Sequence, residues 1–368
     1  MIRVVANLSW LVPGGVGGSE EYAVRLLDAV IEHGPADIEL RIVGSAALRT
    51  AHPSLRRVGF DDVAGPLERR GYRVLAESTA VHRLTRHADL VHHFGGRIPA
   101  RHHGNDIVTV HDLQPLQLPA NFSAVKRRYL AWVLPRSARA ARLICTPSRW
   151  VAETVVAELG VDPDTVRVVP STYGRAGVDT GALDTGLVDE LGSGPVVVYP
   201  AVTHPHKNHE VLLTAADRLV ATHPDLVLVL TGAPGRADDR VDALSRAAAV
   251  TVVRPGRVTA PVLAALVDRA DVLAFPSRYE GFGLPVLEAM HAGTVVVAAD
   301  ATALPEVLGG GGLLVDPDSP DAWADTIERV LDDPALRARL VAEGRSRADE
   351  FSPAAAAARL IDVWRSSV

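Results

Sequence analysis

The chain has 368 residues, a length that suggests two domains, each large enough to bury a core of its own. With 48% hydrophobic and 22% charged residues, the composition is that of a globular protein and excludes disordered and fibrous classes. The formal net charge is −6 and the sequence contains no array of basic and aromatic residues, which argues against nucleic-acid binding. The single cysteine, Cys145, excludes a disulfide within the chain and a cysteine-based zinc site.

The N-terminal segment enters an apolar run at residues 2–6 without the charged, apolar and small-residue regions that make up a signal peptide. No apolar run reaches the roughly 18 residues that a membrane helix needs. We therefore expect a cytoplasmic protein.

Short apolar runs rich in β-branched residues alternate with longer stretches of helical periodicity. The first half has six such runs, at residues 2–6, 38–43, 90–94, 107–110, 143–146 and 166–169. The second half has five, at residues 196–199, 226–230, 250–253, 272–275 and 294–298. Because the runs are continuously apolar, they predict strands that are covered on both faces, as in parallel sheets with helical crossovers. The pattern predicts a doubly wound α/β fold.

A glycine-rich stretch at residues 173–194 interrupts this rhythm and is interpreted as an interdomain linker. The charge divides there too: the first 185 residues carry 22 basic and 19 acidic side chains, and the remaining residues carry 16 and 25. We predict domains at residues 1–185 and 186–352, and a last helix at residues 353–368. Ligands of open α/β sheets bind beyond the carboxyl ends of the strands, so the loops there are expected to carry the chemistry, in a cleft between the domains.

A glycine-rich loop with Gly14, Gly15, Gly17 and Gly18 follows the first predicted strand. Glycines let a backbone approach a ligand closely, and Ser19 is a candidate N-cap for the helix that follows. A strand, a glycine loop and a helix N-terminus together suit an anion. The spacing matches neither the dinucleotide fingerprint nor a Walker loop. The loop therefore either faces a phosphate or is a plain flexible connection.

His111 follows another predicted strand, where a neutral imidazole can donate a hydrogen bond to a substrate hydroxyl or exchange a proton. Four more histidines lie nearby in the sequence: His92, His93, His102 and His103. Their spacing matches no metal motif such as H-E-x-x-H. Asp-Pro-Asp segments at residues 162–164 and 316–318 are similar to a D-x-D metal motif, but their central prolines favour turns. We therefore predict no metal site.

Only two of the 38 basic residues are lysines, Lys126 and Lys207. Lys207 lies in a loop after the first strand of the second half, where this arginine-rich sequence does not use arginine. A compact ammonium can converge on phosphate oxygens where the planar arginine fork is too broad. Asn208 is a candidate cap for the next helix. The alternative is that Lys207 is a solvated loop charge.

The most specific segment covers residues 275–290. A glycine loop follows a strand there, and Pro285 stands near the first helical position. The backbone amides of residues 281–284 can therefore meet a pyrophosphate or a sugar at a helix N-terminus. Glu280 lies in the loop and Glu288 in the first turns of the helix, and sugar or ribose hydroxyls are natural partners for both carboxylates. The alternative is that both glutamates are solvated at the surface.

Taken in order, these segments resemble the retaining glycosyltransferases of family 4 over essentially the whole chain. Glu280 and Glu288 match the E-x7-E motif of that family, and His206-Lys207-Asn208-His209 is similar to a variant common among its bacterial mannosyltransferases. The resemblance implies the GT-B fold, with two Rossmann-like domains facing across a cleft. It implies an N-terminal domain on the acceptor side, a C-terminal domain for the nucleotide sugar, and a last helix that crosses back to the N-terminal domain.

The resemblance also implies a role for each matching residue. Gly14, Gly15 and Gly17 would bind the donor diphosphate, and Lys207 would neutralise the leaving phosphate. His111 and Glu280 would contact the donor sugar, and Glu288 would hold the ribose. Sugar and phosphate would also be met by four backbone amides, those of Gly281, Phe282, Gly283 and Leu284. Of these, His111, Lys207 and Glu280 form the implied catalytic set.

Many members of the family carry an arginine earlier in the lysine loop. Here that place holds Ala201, with His204 and His206 closer to the lysine. Arg149, Arg278 or a histidine is the candidate replacement.

The implied reaction is transfer of a hexose, with retention, from a nucleoside-diphosphate sugar to a glycan or lipid-linked acceptor, as in polysaccharide biosynthesis. GDP-mannose is the first expectation for the donor, and no metal or other cofactor is implied. A sugar-nucleotide epimerase of similar fold is an alternative, although it needs catalytic carboxylates rather than this lysine and E-x7-E set. A two-lobed solute-binding protein is a further alternative, which should carry an export signal.

Basic residues of the N-terminal half fall in two predicted helical stretches. They are Arg69, Arg70, Arg73, Arg83 and Arg86 in one stretch and Lys126, Arg127 and Arg128 in the other. These clusters are either solvated helix faces or peripheral contacts to an anionic membrane surface or a lipid-diphosphate acceptor.

Overall fold

The computed structural model describes residues 1–15, 17–174 and 186–368, except for the side chains of Arg70 and Asp189. The chain divides into two compact units. Unit 1 comprises Met1–Thr172 and Phe351–Val368, and unit 2 comprises Tyr173–Glu350. Much of the linker expected at residues 173–194, up to the expected domain boundary after residue 185, lies outside the described residues.

The strands, in chain order, are β1 (Ile2–Asn7), β2 (Ile38–Gly44), β3 (Gly59–Asp62), β4 (Leu90–His93), β5 (Asp106–Thr109), β6 (Leu143–Thr146), β7 (Val166–Val168), β8 (Val196–Pro200), β9 (Val227–Thr231), β10 (Thr251–Gly256), β11 (Val272–Phe275), β12 (Val295–Ala299) and β13 (Leu313–Val315). The α-helices are α1 (Gly18–His33), α2 (Ala46–Ala51), α3 (Arg70–Ala76), α4 (His82–Leu84), α5 (Gln114–Gln117), α6 (Ala124–Ala140), α7 (Arg149–Leu159), α8 (Gly186–Asp189), α9 (His209–Leu219), α10 (Asp238–Ala247), α11 (Ala260–Arg269), α12 (Leu284–Ala292), α13 (Leu304–Leu308), α14 (Pro320–Asp332), α15 (Pro334–Asp349) and α16 (Pro353–Arg365). Short 3₁₀ turns occupy Pro53–Arg57, Pro119–Asn121, Pro163–Thr165 and Pro205–Lys207, and Glu77–Val81 is a π-helical turn.

Each unit is built on one parallel sheet. The strand order is β3-β2-β1-β4-β5-β6-β7 in unit 1 and β10-β9-β8-β11-β12-β13 in unit 2. Every strand pair in both sheets is parallel, so the doubly wound α/β architecture predicted from the continuous apolar runs is confirmed. The sequence pattern missed β3 and β13, which are the short strands at one edge of each sheet and only partly buried.

The two sheets share one topological feature that positions ligand-binding loops. In each, the chain first builds outward from the first strand and then returns to that strand's other side, so β1 lies next to β4 and β8 next to β11. At such a switch point the loops after the two central strands leave in opposite directions and open a crevice at their carboxyl ends. The loops after β1 and β4, and after β8 and β11, are therefore the places to look for a site.

The last helix, α16, completes the core of unit 1. Its buried residues recur at helical spacing, and they include Ala357, Leu360, Ile361 and Trp364. This stripe packs on α1 within one hydrophobic cluster, and the Trp364 indole donates a hydrogen bond of 3.0 Å to His92 Nδ1. Within the described residues, no helix combines the length and the apolarity that crossing a membrane requires.

Candidate active site

In unit 2, the loops after β8 and β11 are joined by hydrogen bonds and by one ion pair. The Arg278 amide donates to the His206 carbonyl at 2.8 Å. Lys207 Nζ forms an ion pair with Glu280 Oε1, and the two side chains are only 19% and 14% exposed. Because β8 and β11 are neighbours at the switch point, these residues, which are far apart in sequence, meet at the carboxyl ends of the two central strands.

The backbone around Lys207 is held from several sides. Lys207 ends the 3₁₀ turn Pro205–Lys207, and its carbonyl accepts a 2.7 Å hydrogen bond from the buried Tyr199 hydroxyl. Asn208 has a left-handed backbone, with φ of 56°. It occupies the N-cap position of α9, but its side chain does not cap the helix as expected. The Asn208 side chain instead donates to the Pro317 carbonyl at 2.7 Å, which fixes the loop to a neighbouring turn.

The histidines of this loop carry lowered pKa values. Burial, followed by the positive charge of Lys207, lowers the pKa of His206 to about 3. Burial also lowers the pKa of His209 to about 4 and reduces the pKa of His204. These three imidazoles are therefore neutral near pH 7. In this structure the positive charge of the loop therefore comes from Lys207.

Helix α12 begins beside the ion pair. Gly283 occupies its N-cap position with φ of 102°, a conformation that L side chains rarely adopt, and Pro285 lies in the first turn as predicted. The first amides of a helix have no intrahelical acceptor, so this end favours an anion. The Glu280 amide donates to Thr302 Oγ1 at 3.0 Å, which anchors the loop before the helix. Glu288 lies half-buried on the second turn of α12.

The glycine-rich loop of unit 1 is folded onto the first turn of α1. Gly17, with φ of 62° and ψ of −134°, is the N-cap, so the expectation that Ser19 caps this helix is wrong. The Gly14 amide donates to Glu20 Oε2 at 2.8 Å, and the Gly15 amide donates to the Val12 carbonyl at 2.9 Å. Both amides thus have partners within the chain in this structure. Val16, in the same loop, lies outside the described residues.

Glu20 joins this glycine loop to a second element. Its carboxylate is buried, and its other oxygen accepts a hydrogen bond of 2.8 Å from His52 Nε2. A ligand anion at the glycine loop would compete with this carboxylate for the Gly14 amide. Glu20 was not predicted as a site residue, because an acidic residue in a first helical turn is common for electrostatic reasons alone.

His111 lies half-buried two residues beyond β5. Its Nε2 is 2.7 Å from the Phe94 carbonyl, which can only accept, so Nε2 carries the proton and Nδ1 is the acceptor. Burial lowers the pKa of His111 to about 4, and the imidazole is neutral near pH 7. The ring packs edge-on against Tyr22, with ring centroids 5.0 Å apart. In this tautomer, His111 can accept a hydrogen bond from a hydroxyl at Nδ1 but cannot donate one there.

The other histidines considered for a metal are bonded to protein groups. His92 pairs with Thr109, His93 and His102 both pair with Asp106, and His103 pairs with the His82 carbonyl. Both Asp-Pro-Asp segments form turns, in which the first aspartate accepts a hydrogen bond from the amide of the second at 2.9 Å. The prediction of turn chemistry for these segments is confirmed.

The two basic clusters of unit 1 differ in their surroundings. Arg73 turns inward and donates to the Trp10 carbonyl at 3.2 Å. On α6, by contrast, Lys126, Arg127 and Arg128 are exposed, and the helix contains no acidic residue. Val125 and Trp132 are also exposed on α6, at 76% and 63%. The outer surface of α6 therefore combines basic and large apolar side chains.

Two family descriptions match the chain in succession. Glycosyltransferase Family 4 matches residues 16–173, and Glycosyl transferases group 1 matches residues 189–347. Together they cover most of both units.

Three curated relatives are named as glycosyltransferases. The chain is 29% identical to the O-antigen chain mannosyltransferase B of Escherichia coli, over 78% of this chain and 77% of that protein. It is 33% identical to the MMP alpha-(1->4)-mannosyltransferase of Mycolicibacterium hassiacum, over 63% and 56% of the two chains. It is 34% identical to a D-inositol 3-phosphate glycosyltransferase of Xylanimonas cellulosilytica, over 61% and 57%. The matched region thus spans only a little over half the length of the last two relatives.

Solved structures match over the whole chain. Anabaena HepE in complex with UDP and glucose gives a TM-score of 0.76 at 18% identity, and each chain is covered completely. Sucrose-phosphate synthase from Thermosynechococcus elongatus gives a TM-score of 0.76 at 20% identity, with 100% of this chain and 99% of that chain covered. At these identities the likeness concerns the fold alone, and it confirms the predicted GT-B class.

Proposed function

The chain belongs to the GT-B glycosyltransferases, and on that premise we propose that it transfers a hexose with retention, without a metal, from a nucleoside-diphosphate sugar. The observation that carries this proposal is the pairing of Lys207 with Glu280 beside the N-terminus of α12. A cation, a carboxylate and a helix N-terminus together suit a sugar diphosphate: the cation and the amides face the phosphates, and the carboxylate faces the sugar hydroxyls.

Lys207 is the group proposed to balance the charge of the leaving diphosphate. It provides the positive charge of its loop, because the neighbouring histidines are neutral near pH 7. Arg278, one candidate for a second cation, is exposed and forms an ion pair with Asp318. The remaining stabilisation of the phosphates is assigned to the amides of Gly281, Phe282, Gly283 and Leu284. Donors held in place before the reaction stabilise developing charge without a cost of reorganisation.

The proposed step needs no nucleophile from the protein. The bond between the anomeric carbon and the phosphate oxygen breaks with its electron pair staying on the diphosphate. The acceptor oxygen bonds to the same face of the anomeric carbon, and the acceptor proton moves to the departing phosphate oxygen. Glu280 would hold the sugar through its hydroxyls, and Glu288 would accept from the ribose. In unit 1, His111 Nδ1 would accept from a sugar hydroxyl.

The glycine loop of unit 1 is proposed to receive the diphosphate through Gly14, Gly15 and Gly17. Since the Gly14 amide donates to Glu20 in this structure, the diphosphate would have to displace that carboxylate. His52, which also binds Glu20, would then keep the carboxylate paired.

Mannose from GDP-mannose is the first candidate for the donor. Two of the relatives described above are named as mannosyltransferases, and the His206-Lys207-Asn208-His209 segment points the same way. The acceptor is proposed to be a glycan or a lipid-linked glycan. The name of the Escherichia coli relative, which refers to an O-antigen chain, supports a role in polysaccharide biosynthesis.

A peripheral membrane contact through α6 is part of this proposal. Val125, Arg128 and Trp132 recur at helical spacing on the exposed surface, and the Arg136 guanidinium lies 5.8 Å from the centre of the Trp132 ring. Five basic and no acidic residues on one helix match an anionic bilayer, and exposed tryptophan suits the interface between headgroups and acyl chains. Such a contact would bring a lipid-linked acceptor to unit 1.

A thermal-shift screen of GDP, UDP, ADP and dTDP, followed by donor-hydrolysis assays, tests the proposed function. We expect GDP to raise the unfolding midpoint most and GDP-mannose to be hydrolysed slowly in the absence of acceptor. A shift with UDP alone would overturn the choice of donor but keep the reaction class. If no nucleotide shifts the midpoint, the proposed transferase activity fails at its first step.

A further inference from the structure

A second group of ligating side chains lies in unit 2, away from the candidate active site. His223, Glu328 and Asp332 each offer one ligand atom, and these atoms all lie within 4.8 Å of one another. His223 is in the turn between α9 and β9, while the two carboxylates are one helical turn apart at the end of α14. Residues four apart share a helix face, so both carboxylates approach the imidazole from the same side.

The geometry points to a divalent-metal site, and we propose that His223, Glu328 and Asp332 bind one Zn²⁺ or a similar transition-metal ion. The His223 side chain is 15% exposed, and its Nε2 is buried without a hydrogen-bond partner. Asp332 Oδ1 lies 3.4 Å from this nitrogen. A buried imidazole nitrogen that faces two carboxylates without a hydrogen bond is explained by a cation between them.

The backbone that carries the imidazole is firmly placed. The His223 amide donates to the Leu219 carbonyl at 2.7 Å, and the His223 carbonyl accepts from the Leu226 amide at 3.1 Å. The Glu328 carboxylate is oriented by a 2.7 Å hydrogen bond from the Thr222 hydroxyl, which is the kind of support that metal-binding carboxylates usually have. Asp332 has more freedom to adjust, because its side chain is 62% exposed.

The donor set indicates which ions fit. Zinc binds imidazole nitrogen and carboxylate oxygen at about 2.0–2.2 Å, so ligand atoms within 4.8 Å of one another need only a small adjustment of the carboxylates. One imidazole favours Zn²⁺ or Co²⁺ over Mg²⁺ and Ca²⁺, which prefer oxygen ligands alone. An open pocket of about 520 Å³ adjoins His223, so water can complete the coordination.

Nearby cations do not cancel the charge of the site. Arg337 lies in the wall of the same pocket, but its guanidinium pairs with Asp271 at 3.1 Å. Arg269 also lines the pocket, and it donates to the Gly192 and Gly194 carbonyls at 2.8 Å.

The position of the site assigns it a structural role rather than a part in sugar transfer. His223 precedes the amino end of β9, whereas Lys207 follows the carboxyl end of β8, the parallel neighbour of β9. A five-residue strand is roughly 17 Å long, so the two sites lie near opposite ends of these neighbouring strands. The metal ion would link α14 to the turn before β9 and so stabilise unit 2.

Metal titration of the full chain tests the proposal. After treatment with a chelator, the protein is titrated with Zn²⁺ by calorimetry and with Co²⁺ by visible absorption. We expect one equivalent of each ion to bind, and Zn²⁺ at 100 times its dissociation constant to raise the unfolding midpoint by about 5 °C or more. His223→Ala and Asp332→Asn should each weaken binding at least tenfold and remove the Co²⁺ spectrum.

Asp321→Asn is the matched control, because Asp321 lies on the same helix and pairs with Arg218 outside the cluster. It should leave Zn²⁺ affinity unchanged. If His223→Ala does not fold, His223→Gln takes its place in the comparison of Zn²⁺ affinities. Circular dichroism and the unfolding midpoint without metal show whether each variant is folded. The proposal would be overturned if a folded His223 variant bound Zn²⁺ as tightly as the wild type does. It would also be overturned if the wild type did not bind Zn²⁺, or bound Mg²⁺ with equal affinity.

Discussion

Lys207 Nζ and Glu280 Oε1 form an ion pair that bridges the loops after β8 and β11. The pair keeps a half-buried ammonium and a half-buried carboxylate neutralised when no ligand is bound. A bound sugar diphosphate would give each group of the ion pair a new partner. The ammonium of Lys207 would move to a phosphate oxygen, and the carboxylate of Glu280 would turn to sugar hydroxyls. The ion pair is thus the resting form of the proposed donor site.

Replacement of Lys207 by alanine should abolish most of the transfer activity. We expect Lys207→Ala to fold and to lose transfer by about 10²-fold or more, because the charge of the leaving diphosphate then lacks its cation. Steady-state kinetics of donor turnover, with circular dichroism to check the fold, measure this effect. Arg240→Ala, which removes an exposed ion pair with Glu210 from the same unit, is the matched control and should keep wild-type turnover. Near-wild-type turnover of Lys207→Ala would remove Lys207 from the site.

Glu288→Ala should weaken binding of the nucleotide itself. A hydrogen bond to a charged group contributes about 1.5–3 kcal/mol, so loss of the proposed ribose contact should raise the KM for the donor and the Kd for GDP by roughly tenfold to a hundredfold. Calorimetric titration with GDP measures the affinity apart from chemistry. If Glu288→Ala binds GDP as tightly as the wild type, the carboxylate does not hold the ribose.

Glu20→Ala should destabilise unit 1 through the glycine loop. The substitution leaves the Gly14 amide and His52 Nε2 without the buried carboxylate that both contact. We expect the free energy of unfolding to fall by about 1.5–3 kcal/mol, the usual net contribution of a hydrogen bond to a charged group. Urea unfolding measures the difference. Glu21→Ala is the matched control, because it removes an exposed ion pair with Arg25 one position along the helix. It should lower the free energy of unfolding by no more than about 1 kcal/mol.

The stability of the protein should decline as the pH falls from about 6.5 to 4. The pKa of His111 is about 4 in the folded chain, against about 6.5 in an unfolded one, so the unfolded state binds more protons across this interval. Stability therefore rises with pH between these values and levels off above them. The full shift corresponds to about 3 kcal/mol for His111. His111→Gln should flatten this slope in urea-unfolding measurements, and an unchanged slope would contradict the lowered pKa of His111.

The exposed surface of α6 should bind anionic vesicles. We expect co-sedimentation with vesicles of phosphatidylglycerol and phosphatidylcholine at low salt, and loss of most binding in Trp132→Ser or at high salt, since both apolar insertion and charge contribute. Leu314→Ser, an exposed apolar residue of β13 in unit 2, is the matched control and should bind like the wild type. Absence of binding by the wild type at low salt would remove the membrane contact from the proposed function.

The sequence by itself determined the class of fold and most of the strands. Continuous apolar runs such as residues 196–199 and 272–275 are typical of strands that a parallel sheet buries on both faces, and their alternation with helical stretches indicates the fold class without coordinates. The edge strands β3 and β13 were not readable, because they are short and only partly buried. Before and within the first turn of α12, Gly283 and Pro285 also marked a helix start from local chemistry alone.

Only the tertiary structure decided which of these local features meet. The pairing of Lys207 with Glu280 depends on β8 and β11 being neighbours, and strand order is a property of the whole sheet rather than of either segment. The Phe94 carbonyl sets the tautomer of His111, and the buried Glu20 holds the Gly14 amide, through contacts that no motif records. Local sequence dictates backbone preferences, whereas partners distant in the chain are chosen by packing. For this reason the sequence could suggest the candidate residues but not the residues that they contact.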